Sequence, residues 1–247
     1  MQMKLFDLYI RIIKKQAWLY GIYIIVFFAV TLMAADAGRK TPGTAVLYYY
    51  RYAALAGMVL IMLTISAVTA VTSDTELFMR HKAAPVRMEL LELTYVGADL
   101  LVMLFWWMLF FWTAVVLYGE AAYNAEGLLM AADLFVLSLF STAVGYIIGI
   151  FAKSAQGRGI AANVMAFSLA FAGGSIFSQE QADNTVYLLR SFTPLFWYQK
   201  ALDELALHPW KTENVNNFAG YIGIQIIFAL MVLALGLLLE KQRKEVA

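Results

Sequence analysis

Apolar residues in this chain come in long blocks, separated by short connections that hold most of the charge. Six blocks reach the length of about 20 apolar residues that a helix needs to cross a bilayer core. They cover residues 18–35, 52–72, 93–118, 128–151, 159–177 and 218–239. Strands of a membrane barrel would alternate and be about ten residues long. The pattern therefore predicts an all-α membrane protein with six transmembrane helices. The first block follows a mixed apolar and basic stretch and precedes no small-residue cleavage site, so it reads as a span and not as a cleaved signal peptide. No repeat, low-complexity tract or linker divides the chain, and a single transmembrane domain over residues 1–247 is expected.

Three segments between or before the blocks have patterns of their own. Near the start, Leu5, Leu8, Tyr9, Ile12 and Ile13 fall at helical spacing with Arg11, Lys14 and Lys15 on other faces. That suits an interfacial helix lying among cytoplasmic headgroups. Between the second and third blocks, Asp74, Glu76, Arg80, His81, Lys82, Arg87, Glu89 and Glu92 crowd together. Ser73 or Asp74 is placed to cap a short helix with Glu76 at its positive end. Pro85 breaks the run, and Pro85 to Arg87 then open the next helix. The result would be a stiff foot able to dock on a cytoplasmic protein, with Leu77, Phe78 and Met88 as candidate apolar anchors. A solvated loop whose basic residues only set topology is the other reading. Between the fifth and sixth blocks, Ser178 to Asn217 is too apolar for a free loop. Pro194 divides it into two short outer helices, with Ser191 or Thr193 as a cap and Trp197, Tyr198 and Trp210 at the interface.

Charge placement orients the spans. Twelve of the 18 Lys and Arg residues fall in segments on one side, which puts both termini in the cytoplasm. The composition is 62% hydrophobic and 14% charged, with a net charge of +1, so bulk attraction to nucleic acid is excluded. Cysteine is absent, which removes disulfides and thiolate metal sites, and the two histidines, His81 and His208, lie in separate connections. No metal site is expected. There is no glycine-rich phosphate loop followed by lysine, and no serine–histidine or paired-histidine arrangement inside a span. The chain is not expected to be an enzyme or to bind a cofactor itself.

Polar residues within the blocks are the remaining candidates for chemistry. Asp99 lies six residues into the third span, where an unpaired carboxylate is costly. Asn163 and Ser168, in the fifth, are candidates for a translocation pathway, although such residues more often bridge helices. Asp133, near the outer end of the fourth, reads as interfacial.

Taken together, these features resemble the ABC-2 type permease family, the membrane subunits of one class of ABC transporters. The resemblance is carried by the six spans with both ends inside, the basic opening helix, the charged connection with its Ala84-Pro85-Val86 step, and the outer SFTPLFWYQKALDEL, in which Pro194 precedes Trp197. In that family the charged connection forms a coupling helix seated in the ATPase subunit. Here Glu76, Arg80 and Pro85 fit, while Met79-Arg80-His81-Lys82 stands where a glycine–threonine pair is usual. The resemblance implies a permease subunit in the plasma membrane of a bacterium. It would work with a second copy or a homologous permease, and with cytoplasmic subunits that bind ATP and magnesium, to export an amphipathic or hydrophobic substrate. An ion-coupled secondary transporter or channel is the alternative. That class would want several acids or broken helices at the midplane, where only Asp99 is a candidate. A non-transporting scaffold would not need a stiff cytoplasmic foot.

Overall fold

The computed structural model describes residues 42–72, 88–152, 154–174, 184–207 and 212–246, together with Gly21, Ile25, Ala29 and Met33. Among these residues there are helices and no strands. The eight helices are α1 (Pro42–Thr72), α2 (Met88–Tyr118), α3 (Glu120–Tyr123), α4 (Ala125–Phe151), α5 (Ala155–Ala172), α6 (Asn184–Ser191), α7 (Pro194–Leu207) and α8 (Thr212–Val246).

Local sequence explains where these helices start and stop. α1 opens on Pro42, tolerated in a first turn because its missing N–H would have had no partner there. α2 ends at Gly119, whose φ of 56° is open to glycine at little cost. The chain makes the single turn of α3, and Asn124 then caps α4 by accepting a hydrogen bond from the Gly127 amide at 2.8 Å. Ser154 does the same for α5, accepting from the Gly157 amide at 3.0 Å.

The core is built on α1 and α4, the two most buried of the long helices. Tyr49, Tyr50, Met58, Ile61, Met62 and Ile65 of α1 are fully buried, packed with Phe110 of α2 and Leu137 of α4. Gly145 and Gly149, one helical turn apart, let α4 approach α1 closely. A Cβ at Gly149 would stand 2.5 Å from Thr69 Cβ and 2.8 Å from the Ser66 carbonyl, and one at Gly145 would meet Met62 Cα at 3.0 Å. Small residues at this spacing are a common device for packing helices in lipid, where dispersion replaces the hydrophobic effect.

The flanking helices are built differently. α2 exposes Leu101, Phe105, Met108 and Trp112 along one stripe, and α8 exposes Ile227, Leu230, Met231 and Leu238. An apolar surface of this extent suits lipid or a partner helix and not water. Helices α1, α2, α4 and α8 are long and apolar enough to cross a membrane, over Ala45–Ala70, Val96–Tyr118, Ala125–Phe151 and Val215–Gln242. These correspond to the second, third, fourth and sixth expected spans. The fifth coincides with α5 as far as Ala172; its polar first turn, with Gln156 and Arg158, keeps it out of that group. Of the first, Gly21, Ile25, Ala29 and Met33 are described and helical. The expected opening helix lies outside the described residues.

Candidate functional site

The end of the bundle that carries α6 and α7 is held together by polar contacts between α1 and α7. Pro194 is buried in the first turn of α7. The expected cap at Thr193 takes another form: its hydroxyl and amide both donate to the Arg190 carbonyl, at 2.8 and 2.9 Å, and so close α6. Trp197, three residues after Pro194, donates from Nε1 to the Ser191 carbonyl at 2.8 Å, and its ring lies 5.6 Å from that of Tyr221 on α8. One indole thus ties α6 and α7 to each other and to α8.

Next along α7, Tyr198 is fully buried and its hydroxyl donates to the Tyr50 carbonyl of α1 at 2.8 Å. Burial holds this phenol well above its ordinary pKa, with the Asp133 carboxylate acting in the same direction, so it stays a neutral donor. Arg51 of α1 pairs with Asp203 of α7. Burial raises the Asp203 carboxyl above its usual range, while the Arg51 guanidinium pulls it back. Lys200 lies 5.6 Å from the ring centre of Tyr187 on α6.

Asp133, read from the sequence as interfacial, is enclosed by the protein itself. It is fully buried in α4 and accepts a 2.7 Å hydrogen bond from the Gln225 amide of α8. The other carboxylate oxygen and the Gln225 carbonyl oxygen have no hydrogen-bond partner among the described residues. The sequence signal was a glutamine inside an otherwise apolar run, which a search for charge alone passes over.

Toward the other end, α2, α4 and α8 diverge to form a cleft of about 210 Å³. Asp99 lines it with Val96 and Leu100 of α2, Leu139, Thr142, Ala143 and Tyr146 of α4, and Ile226 to Leu237 of α8 at helical spacing. Asp99 is the one charged residue in this lining, and its Oδ1 is buried without a hydrogen-bond partner among the described residues. The two hydroxyls in the wall are directed elsewhere. Thr142 donates to the Ser138 carbonyl at 2.9 Å, and Tyr146 donates to Glu240.

Asn163 and Ser168 do not line this cleft. The Asn163 amide donates to the Gly159 carbonyl of its own helix at 2.8 Å, and Ser168 faces outward, exposed. Of the expected coupling residues, Asp74, Glu76, Leu77, Phe78, Arg80, His81, Lys82, Pro85 and Arg87 lie outside the described residues, and Met88 and Glu89 form the first turn of α2. Among the described residues no group of three histidine, aspartate or glutamate side chains is placed to hold a metal.

A family model described as ABC-2 family transporter protein matches residues 30–238, which include all four of the membrane-length helices except the end of α8 beyond residue 238. No curated protein and no solved structure matches the chain.

Proposed function

Because the chain belongs to the ABC-2 family of transporter proteins, we propose that it is the permease subunit of an exporter for amphipathic or hydrophobic molecules. As a family member it is a membrane transport component, and ABC transporters draw their energy from an ATP-binding partner. The family match over most of the chain is the observation that carries this reading. In it the whole chain, residues 1–247, is one transmembrane domain of six spans with both termini cytoplasmic, in the plasma membrane of a bacterium. A second copy or a homologous permease lies beside it in lipid, and ATP and magnesium are bound by the partner ATPase alone.

Energy from hydrolysis reaches the spans only through contact, and Asp74 to Glu89 is the coupling segment. Its mixed charges fix register on the ATPase, and Leu77, Phe78 and Met88 provide apolar anchorage. Asp99 belongs to the translocation pathway, with Asn163 and Ser168 further along it, while Pro194 and Trp197 shape the outer end. The low charge of the spans supports an apolar or amphipathic cargo. An ion-coupled carrier would be favoured by several acids at the midplane, and the buried Asp133 is already bonded to Gln225.

The test is co-purification. The tagged chain, expressed together with its neighbouring genes, should retain an ATP-binding protein through detergent extraction and stimulate its ATP hydrolysis. A chain that is inserted, folded and still unable to retain or stimulate any such subunit would be a carrier of another kind.

A further inference from the structure

We infer that the cleft between α2, α4 and α8 is a binding site for lipophilic ammonium ions, molecules with one cationic amine head and an apolar tail, taken in sideways from the bilayer. The inference deepens the permease reading, and its consequence for transport rests on that reading; binding itself does not.

The recognition chemistry is in the wall. Asp99 offers a carboxylate with a buried Oδ1 that no described residue satisfies. Thr142 and Tyr146 each have a single hydroxyl proton, and both are committed, to the Ser138 carbonyl and to Glu240. The remaining lining is apolar. A charge in such surroundings is costly unless paired and hydrogen-bonded, and an ammonium head supplies both the opposite charge and the missing donors. A neutral apolar molecule would leave the carboxylate unsatisfied, and an anion would be repelled by it.

Size and access agree. An apolar cavity of about 150 Å³ is enough for one benzene ring, so a cleft of about 210 Å³ holds a head group and the beginning of a tail. Its rim is formed by Val96, Leu100, Leu230 and Leu237, all of them exposed on the outer faces of α2 and α8. The tail can therefore continue along surfaces that suit lipid, with no need for a closed chamber. Shared chemistry allows two sources for the head: the amine of phosphatidylethanolamine or a free amphipathic amine.

The test uses the full chain in phosphatidylcholine nanodiscs, without an ATPase. The probe is a fluorescent dodecylammonium, and its control has the same fluorophore and chain ending in a hydroxyl. The parent should bind the ammonium probe at least about tenfold more tightly than the alcohol, on the scale of one desolvated ion pair. Asp99→Asn should abolish that preference and leave the alcohol unchanged. Leu230→Trp, placed at the exposed rim, should weaken both probes, so the assignment can be tested even if the Asp99 variant does not fold. Equal binding of the two probes by the parent, or an undiminished preference in folded Asp99→Asn, would overturn it. Competition when phosphatidylethanolamine is added to the discs assigns the site to the lipid amine, and unchanged binding assigns it to the free amphiphile. Ammonium-selective binding in a chain that retains no ATPase would remove the permease reading and leave the cleft assignment standing. Retention of an ATPase with no ammonium selectivity would do the reverse.

Discussion

Gln225 donates its side-chain amide to Asp133 at 2.7 Å, joining α8 to α4 where neither residue meets water. α8 is otherwise the most exposed of the membrane-length helices, and this bond and the one from Tyr146 to Glu240 both tie it to α4. Gln225→Leu should destabilise the protein by about 1–3 kcal/mol, because it leaves a buried carboxyl with no donor. Asp133→Asn keeps an acceptor oxygen for the Gln225 amide and should cost less. Thermal unfolding in detergent measures both, and a leucine variant that unfolds with the parent would show that the bond contributes nothing.

The close approach of α1 and α4 predicts a contrast between two glycines. Gly149→Ala places a methyl against Thr69 Cβ at 2.5 Å and the Ser66 carbonyl at 2.8 Å, and overpacking of this kind should cost about 1–3 kcal/mol. Gly97→Ala on α2 meets nothing within 4 Å and should be neutral or mildly stabilising, given alanine's higher helix propensity. Equal unfolding temperatures for the two variants would contradict the packing described.

On α7, Asp203 makes a pH-dependent contribution whose sign follows from its surroundings. Burial raises its pKa in the folded chain, so folding takes up protons in the window between the unfolded and folded values. The contribution is full below the unfolded pKa and is lost as pH rises through the folded one. Arg51 opposes the shift, so Arg51→Gln should move the Asp203 midpoint upward and carry the loss of stability to higher pH. Unfolding temperatures of both proteins from about pH 4 to pH 8 read this directly. Superimposable curves would mean that the ion pair has no influence on the carboxyl.

Coupling through the charged connection predicts a selective defect. Exchanging the signs at Glu76 and Arg80 should leave insertion intact and abolish both retention of the ATPase and stimulation of its hydrolysis. A cytoplasmic reporter fused after Ala247 should be active in parent and variant alike, which separates a topology error from uncoupling. Retention and stimulation at parent levels would make the segment an ordinary topogenic loop.

Legibility in the sequence followed the physics of each feature. Long apolar blocks are a one-dimensional signal, so the spans that became α1, α2, α4 and α8 were visible, as was the division of the outer connection at Pro194. Boundaries were less so: α1 begins ten residues before the expected span, and Tyr49 and Tyr50 in that added stretch are buried against α2 and α7. Asp99 stood out because a charge in a span is rare, but its cleft depends on how far α2 stands from α8, which no local pattern encodes. The Asp133–Gln225 and Arg51–Asp203 pairs join residues about 90 and 150 positions apart. Asp133 was visible by its charge and Gln225 was passed over; the pairing is a property of the packed bundle.

The glycine contact between α1 and α4 also has a mechanical meaning. With Gly149 seated against Ser66 and Thr69, a slide of one helix along the other would drive the bulky side chains beside each glycine into the opposite backbone. Shear between the two helices is therefore costly. They are the fixed pair of the bundle, and the cleft beside Asp99 lies off that pair, where α2 and α8 meet α4.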